Sequence, residues 1–348
     1  MRVVQFEIPG EGRRVSVIDG DSVRDVTSAR PELTHVYGVF RAAQAADRSF
    51  DEFLAEVAGS ESVATIPYKS LLESFPGGDR PFLHPPLDHA DPHFVLIAGT
   101  GLTHTGSMQS RDEMHTSDQE EAAKPKTDSA KMFDMGLEGG KPPSGKRGAA
   151  PEWFYKGSGT NLRGHRWPLE KPAFALDGGE EPELVGCYII DDAGTPRRLG
   201  FALGNEWSDH ATEKINYLYL APSKLRTCAV GPELITDFDF SRLSLRCTVG
   251  RNGETIYDSG ELFSGEEFMC HSLANCEDHH FKYPQHRQPG DVHLHYFGTS
   301  KLSHTSRDWK YQPGDEITVT AENFGAPLVN KVQAGDPILA DPVTVKPA

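Results

Sequence analysis

The sequence predicts a mixed α/β protein, predominantly β, in which a small N-terminal α/β unit precedes a larger strand-rich domain. Three observations predict it. The first residues alternate like half-buried strands, RVVQFEI and RRVSVIDG being joined by the turn PGEG. From residue 151 onward, strand-patterned segments recur between Gly and Asp turns: ELVGCYIID, LRCTVG, DVHLHYFG and DEITVTAENFG. No βαβ alternation accompanies them, which argues against a doubly wound parallel sheet.

The elements follow in order. DGDSVRDVT continues the N-terminal meander, and HVYGVFRAAQAA carries helical spacing. SFDEFLAEVA opens with a capping box, Ser49 at the N-cap and Glu52 three residues on. PGGDRPFLHPPLDHADPH, rich in Pro and Gly, reads as the linker out of this unit. The expected domains are therefore residues 1–85 and 90–345. FVLIAGTG is an apolar run ending in glycines, as expected of a buried strand feeding an active-site loop. Residues 112–150 are charged and rich in Pro and Gly, with only DSAKMFDMGL patterned as a helix; a stretch of this kind is expected to be a lid, an interface arm or disorder.

Composition excludes several classes. The 348 residues, 37% hydrophobic, can bury a full core, and 51 acidic against 35 basic residues give a net charge of −16. A field of that sign repels nucleic acid and anionic membranes, so neither is an expected partner. A small anionic substrate needs only a locally positive site. No run approaches the roughly 18 apolar residues of a membrane span, and the start MRVVQFEIPGEGRR lacks the shape of a signal peptide. Cys187, Cys228, Cys247, Cys270 and Cys276 are odd in number and scattered, which fits free thiols in a reducing cytoplasm.

Four segments carry candidate chemistry. In a strand, residues two apart share a face, so Glu181 and Glu183 would point the same way beside the apolar run LVGCYII. Two neighbouring anions in a dry site need a cation between them, and carboxylate oxygens suit Mg²⁺, Mn²⁺ or Ca²⁺. The alternative is a solvated strand start, because Glu180 extends the run of acids. GFALGNEWSDH offers Glu206 and Asp209 as third ligands; Asn205, Ser208 and Asp209 would equally serve as helix caps. Lys224, ahead of the Gly231-Pro232 turn, would be a base if buried near a metal and an ordinary surface lysine otherwise. Thr299 in FGTS offers a hydroxyl and an amide to a carboxylate, or ends a hairpin. CHSLANCEDHH invites a zinc reading, but its spacing fits no common zinc pattern, and a structural role is expected.

Across about 150–335 the ordered landmarks resemble the fumarylacetoacetate hydrolase superfamily. FYKGSG is similar to its F-L-K-P-S segment, EPELVGCYI to its E-x-E-L strand and GFALGNEWSDHA to G-Y-T-V-x-N-D-V-S-A-R-D. APSKLRTCAVGP resembles K-x-x-D-x-x-x-P-x-G-P, and QPGDVHLHYFGTS resembles P-G-D-x-I-x-T-G-T-P. PGDEITVTAENFGAPLVN is similar to the family's closing segment, and the N-terminal unit resembles its small leader domain. The resemblance implies a β-roll catalytic domain holding Mg²⁺ or Mn²⁺ through Glu181, Glu183 and Glu206. Glu206 stands where the family has Asp, one methylene shorter, and Asp209 falls on the family's Ala. Lys224 falls on the family lysine, Lys156 and Ser158 on the F-L-K-P-S segment, and Thr299 on the substrate-binding threonine; Lys156, Ser158 and Thr299 are thus expected to bind substrate.

Hydrolases of the family carry N-Y-R-D-H-x-x-E, whose His–Glu pair activates water. Here the equivalent stretch is GTGLTHTGSMQSRDEMH: His104 is present, and Ser107 stands where the Glu would be. GTGLTH and KMFDMGLEGGKP resemble instead the subgroup that dehydrates 2-keto-3-deoxy-D-xylonate and related pentonates. The resemblance thus implies a cytoplasmic homodimer or homotetramer acting on a small 2-oxo acid in non-phosphorylative pentose breakdown. The metal would polarise the 2-oxo acid, Lys224 or a carboxylate would take a C3 proton, and His104 or a water on the metal would protonate the departing C4 hydroxyl. The product would be 2-oxoglutarate semialdehyde. The competing expectations are a hydrolase or decarboxylase of a 2,4-diketo acid on the same metal, and a catalytically silent binding protein.

Overall fold

Among the described residues nineteen strands make up most of the regular secondary structure, as the alternating sequence leads one to expect. The computed structural model of the chain describes residues 1–109 and 126–348. The N-terminal strands are β1 (Arg2–Ile8), β2 (Gly12–Asp19), β3 (Ser22–Asp25), β4 (Ala64–Pro67) and β5 (Phe82–His84). Next come β6 (Val95–Gly101), β7 (Glu152–Ser158), β8 (Leu162–Arg163), β9 (Leu169–Lys171), β10 (Pro182–Ile190) and β11 (Pro196–Asn205). They are followed by β12 (Cys228–Val230), β13 (Leu234–Ile235), β14 (Leu243–Arg251), β15 (Glu254–Asp258) and β16 (Leu262–Ser264). The last three are β17 (Val292–Tyr296), β18 (Glu316–Ala321) and β19 (Leu328–Ala334).

Two sheets result. The larger, of 13 strands, runs β4-β3-β2-β1-β13-β11-β10-β17-β6-β7, with β5, β8 and β12 attached at its side; the smaller, of six, runs β15-β14-β18-β19-β9 with β16 on β14. Pairing is antiparallel except between β17 and β6, β12 and β8, and β19 and β9. The N-terminal strands join the larger sheet directly, because Arg2 and Val3 of β1 pair with Ile235 and Leu234 of β13. The Pro/Gly-rich segment read as a linker contains β5, which pairs with β1 over Gln5–Glu7. The helix Phe50–Ala58 starts at the expected capping box, with both reciprocal bonds between Ser49 and Glu52 present. Of the expected insertion at 112–150, residues 112–125 lie outside the described residues, and DSAKMFDMGL falls in the helix Asp128–Gly139. Among the described residues no helix is long and apolar enough to cross a membrane, and all five cysteines are free and buried.

The apolar run of β10 explains where the core sits. All nine of its residues are buried. Val185, Cys187 and Ile189 pack with Val36, Phe40 and Leu54 from the two N-terminal helices, Val36–Ala45 and Phe50–Ala58. Leu184, on the opposite face, packs with Leu243, Val249 and Val319 of the smaller sheet. Period-two alternation thus sends one strand into both cores, each buried aliphatic side chain contributing roughly 1.5–3 kcal/mol.

Glu233, fully buried, ties the N-terminal strand to the rest. Arg2 donates to both its oxygens at 2.8 and 2.6 Å, the Tyr68 hydroxyl at 3.0 Å and the Gly325 amide at 3.3 Å. A Cβ at Gly325 would lie 1.5 Å from the Arg2 guanidinium, so a larger residue there would push that side chain aside. Glu233→Ala would strand a buried hydroxyl and an amide, and should lower the unfolding free energy by about 2–3 kcal/mol in urea titrations.

Candidate metal centre

The register of β10 against β11 brings distant acids together. Pro182 pairs with Asn205 and Glu183 with Gly204, so continuing the same register sets Glu181 opposite Glu206. The Glu206 amide donates to the Glu181 carbonyl at 2.9 Å, and the Glu181 amide to Asn205 Oδ1 at 3.2 Å. Glu183 lies one pleat along on the same face. The result is a buried triad: one carboxylate oxygen from each of Glu181, Glu183 and Glu206 lies within 4.8 Å of the others. Glu180 faces the other way and is buried too, accepting from the Ser303 amide and hydroxyl and the Tyr311 hydroxyl. The run of acids is therefore not a solvated strand start.

Cations and donors surround the triad. Lys224, at the end of the short helix Leu220–Lys224, donates to Glu181 at 2.5 Å and Glu206 at 2.9 Å, and its ammonium lies 4.7 Å from the Phe154 ring centre. Lys156, fully buried, is 2.8 Å from the other Glu206 oxygen and donates to the Trp207 carbonyl. It is the extra residue of a β-bulge, since Ala98 pairs with Tyr155 and Ile97 with Gly157, and the bulge re-aims its side chain. The Gly298 amide, just past β17, donates to Glu183 at 2.6 Å. His210 Nε2 lies 2.9 Å from Glu181.

These contacts split the three acids electrostatically. Burial pushes the Glu181 carboxyl up, but Lys224 and then His210 outweigh it and hold the group well below its ordinary range. Burial, and then the charges of Glu206 and Glu181, push Glu183 well above that range. Burial and Glu181 also raise Glu206, against Lys156 and Lys224. Two of the three carboxyls are thus disfavoured as anions while two buried lysines stand against the triad. Three oxygen donors converging in a buried place, where their mutual repulsion raises two of the carboxyls, fit a hard cation such as Mg²⁺ or Mn²⁺.

The cavity beside the triad is lined by Glu181, Glu183, Glu206, His210, Lys224 and Thr299, with Gly101, Phe154 and Leu302 among its other walls. Its volume of about 20 Å³ suits one ion or water rather than a five-carbon acid, so it must enlarge to admit one. The Thr299 hydroxyl donates to the Lys301 carbonyl at 3.0 Å. Two expected residues stand elsewhere. Ser158 caps a turn at Thr160 and does not line the cavity. His104 does not line it either: Nδ1 is 2.8 Å from the Thr103 hydroxyl and Nε2 is 3.2 Å from that of Ser264, and burial pulls its pKa down to about 4. Asp209, the other candidate third ligand, is an N-cap. It accepts from Thr212, Leu176 and Asp177 amides and pairs with Arg226, so its oxygens are committed. His210 and the Gly298 amide had not been anticipated. The only trace of His210 is its place four residues after Glu206, and an amide leaves no mark in sequence.

No family model matches the chain, and no curated protein matches it. Solved structures do. A 2-keto-3-deoxy-D-arabinonate dehydratase complexed with magnesium and 2,5-dioxopentanoate aligns with a TM-score of 0.67 at 19% identity, over 96% of this chain and 99% of that one. This chain has that fold. A 2-hydroxyhepta-2,4-diene-1,7-dioate isomerase from Mycobacterium marinum aligns at 0.55 and 18%, over 96% of this chain and 98% of its own. Maleylpyruvate hydrolase from Sphingobium sp. SYK-6, in complex with manganese(II) and pyruvate, aligns at 0.53 and 14%, over 97% and 100%. The mixed, mostly stranded architecture expected from the sequence is the one these enzymes share.

Two outcomes test the centre. Loading Mg²⁺ or Mn²⁺ at neutral pH should release about one proton, read by calorimetry in buffers of different ionisation enthalpy, and affinity should fall as pH is lowered. A carboxyl raised in the folded state contributes stability below its unfolded pKa and loses it as pH rises. Glu183→Gln, neutral at every pH and still able to accept from Gly298, should therefore raise the Tm of the metal-free protein at pH 7. The same variant should abolish the further rise in Tm on adding metal.

Proposed function

We propose that this chain is a divalent-metal-dependent enzyme of the fumarylacetoacetate hydrolase superfamily that dehydrates a 2-keto-3-deoxy pentonate, of D-xylonate or arabinonate type, to 2-oxoglutarate semialdehyde. The observation that carries the reading is the buried Glu181–Glu183–Glu206 triad with Lys224 held against it in one small cavity. The three carboxylates would hold the cation. Bound there, Mg²⁺ or Mn²⁺ supplies Lewis-acid polarisation of a 2-oxo acid, which acidifies its C3 protons.

The chain's own residues do the rest. Lys224 neutralises Glu181 and Glu206, and relieved of that role it is the amine placed to take a C3 proton. The resulting ammonium, braced over the Phe154 ring, is then the donor to the departing C4 hydroxyl, which leaves as water. Loss of a C5 proton and return of one to C3 moves the C3=C4 double bond to C4=C5, and tautomerisation of that enol, its hydroxyl proton lost and a proton gained at C4, gives the aldehyde. His210 orients Glu181, Lys156 and Ser208 hold Glu206, and the Gly298 amide holds Glu183. Thr299 is the wall residue offered to the substrate carboxylate. One structural neighbour holds magnesium and 2,5-dioxopentanoate, which is this product, and that supports the reading.

His104 favours dehydration over hydrolysis. Among the described residues no carboxylate bonds its ring, and it stands off the cavity, so the His–Glu pair that would activate water is not assembled. A cytoplasmic homodimer or homotetramer belongs to the same proposal, on the family resemblance.

The test is to incubate Mg²⁺-loaded protein with D- and L-2-keto-3-deoxypentonates and follow semialdehyde against pyruvate and CO₂. Semialdehyde from one isomer is expected. Pyruvate or CO₂ without semialdehyde would shift the assignment to a hydrolase or decarboxylase of a diketo acid, and no turnover with metal-independent binding would indicate a silent binding protein. Lys224→Met should lower kcat about 10²–10⁴-fold with metal binding retained.

A further inference from the structure

We propose that a second cavity, between β5, β8 and the segment 85–95, is a binding site for a small oxyanion with a compact apolar body. The cavity has a volume of about 260 Å³, and none of its lining residues belongs to the triad cavity. This lies just under the roughly 300 Å³ at which ligand pockets begin, which suits an occupant of few atoms.

Its charge is unbalanced. Arg13 grips both oxygens of Asp88, at 3.0 and 2.9 Å, so that pair is neutral, and Arg13 Nε is buried without a partner. Arg163, half-buried, spends Nη1 on the carbonyls of Thr160 and Leu162, at 2.9 and 2.8 Å. Among the described residues no carboxylate is in ion-pair contact with it, Glu170 acting on it only at longer range, and its Nε and Nη2 donate no hydrogen bond. Burial pulls its pKa below the ordinary arginine value, against the smaller effects of Cys228 and Glu170. A guanidinium fork with a free edge in a half-dry pocket matches a carboxylate or phosphate in two-point contact. The walls are apolar and fixed: Val95 and Leu162 contribute aliphatic surface, and Trp167 is held by its indole N–H donating to the Leu83 carbonyl at 2.8 Å.

Succinate and inorganic phosphate are the probes, titrated into the full-length protein with tryptophan fluorescence and calorimetry as readouts. Saturable one-to-one binding is expected, weakened at least tenfold by Arg163→Gln. The fluorescence change should vanish in Trp167→Phe. Binding should survive in Glu183→Gln, which separates this site from the triad and keeps the result independent of the proposed dehydratase activity. Succinate, with its apolar ethylene body, should bind more tightly than phosphate; phosphate binding as tightly or more so would overturn the apolar part of the proposal. If Arg163→Gln fails to fold, Arg163→Lys, which keeps the charge without the fork, should still weaken binding. No saturable binding of either probe, equal binding by the Arg163 variants, or loss of binding in Glu183→Gln would overturn the proposal.

Discussion

Three carboxylates within 4.8 Å of one another, out of contact with bulk water, repel each other and resist burial. Everything around the triad answers that constraint. Two buried lysines supply opposite charge, a histidine and a backbone amide supply hydrogen bonds, and one carboxyl is pushed well above its ordinary range. A protein gains little stability from such an assembly, since replacing buried charges by packed apolar groups is often neutral or favourable. Its presence in a buried part of the larger sheet therefore speaks for chemistry rather than for folding.

Sheet geometry makes the arrangement possible. β10 and β11 run antiparallel, so the start of one meets the end of the other and places Glu181 beside Glu206. β17 flanks β10 on its other side and ends level with Glu183, which puts the Gly298 amide in reach. β6 runs parallel to β17 and β7 returns along β6, bringing Gly101 and Phe154 to the same end. Five strands thus deliver their ends to one cavity, while β10 and β11 are clamped between the N-terminal helices and the smaller sheet. Rigid strand ends hold like charges together more firmly than a loop would.

Much of this was legible along the chain. Alternation marked the strands, Ser49 and Glu52 marked a helix start, and the period-two spacing of Glu181 and Glu183 predicted that their carboxylates share a face. These signals are local, written in residues that touch their near neighbours. The linker reading failed to include β5 because Pro and Gly mark a chain that turns, and do not say whether the next three residues find a strand to pair with.

What the sequence by itself determined was therefore the strand content, the acid pair and the candidate third ligand. The tertiary structure decided between Glu206 and Asp209. Both are acids in one short polar stretch, but only Glu206 lies opposite Glu181 in the β10–β11 register, while Asp209 turns to cap a helix and meet Arg226. It likewise withdrew His104 into contact with Thr103 and Ser264, brought His210 in, and aimed Lys156 through a bulge. The physical reason is the same in each case. Cross-strand register and bulge position are set by the packing of whole sheets, and a shift of one residue would turn the Glu181–Glu183 pair to the opposite face.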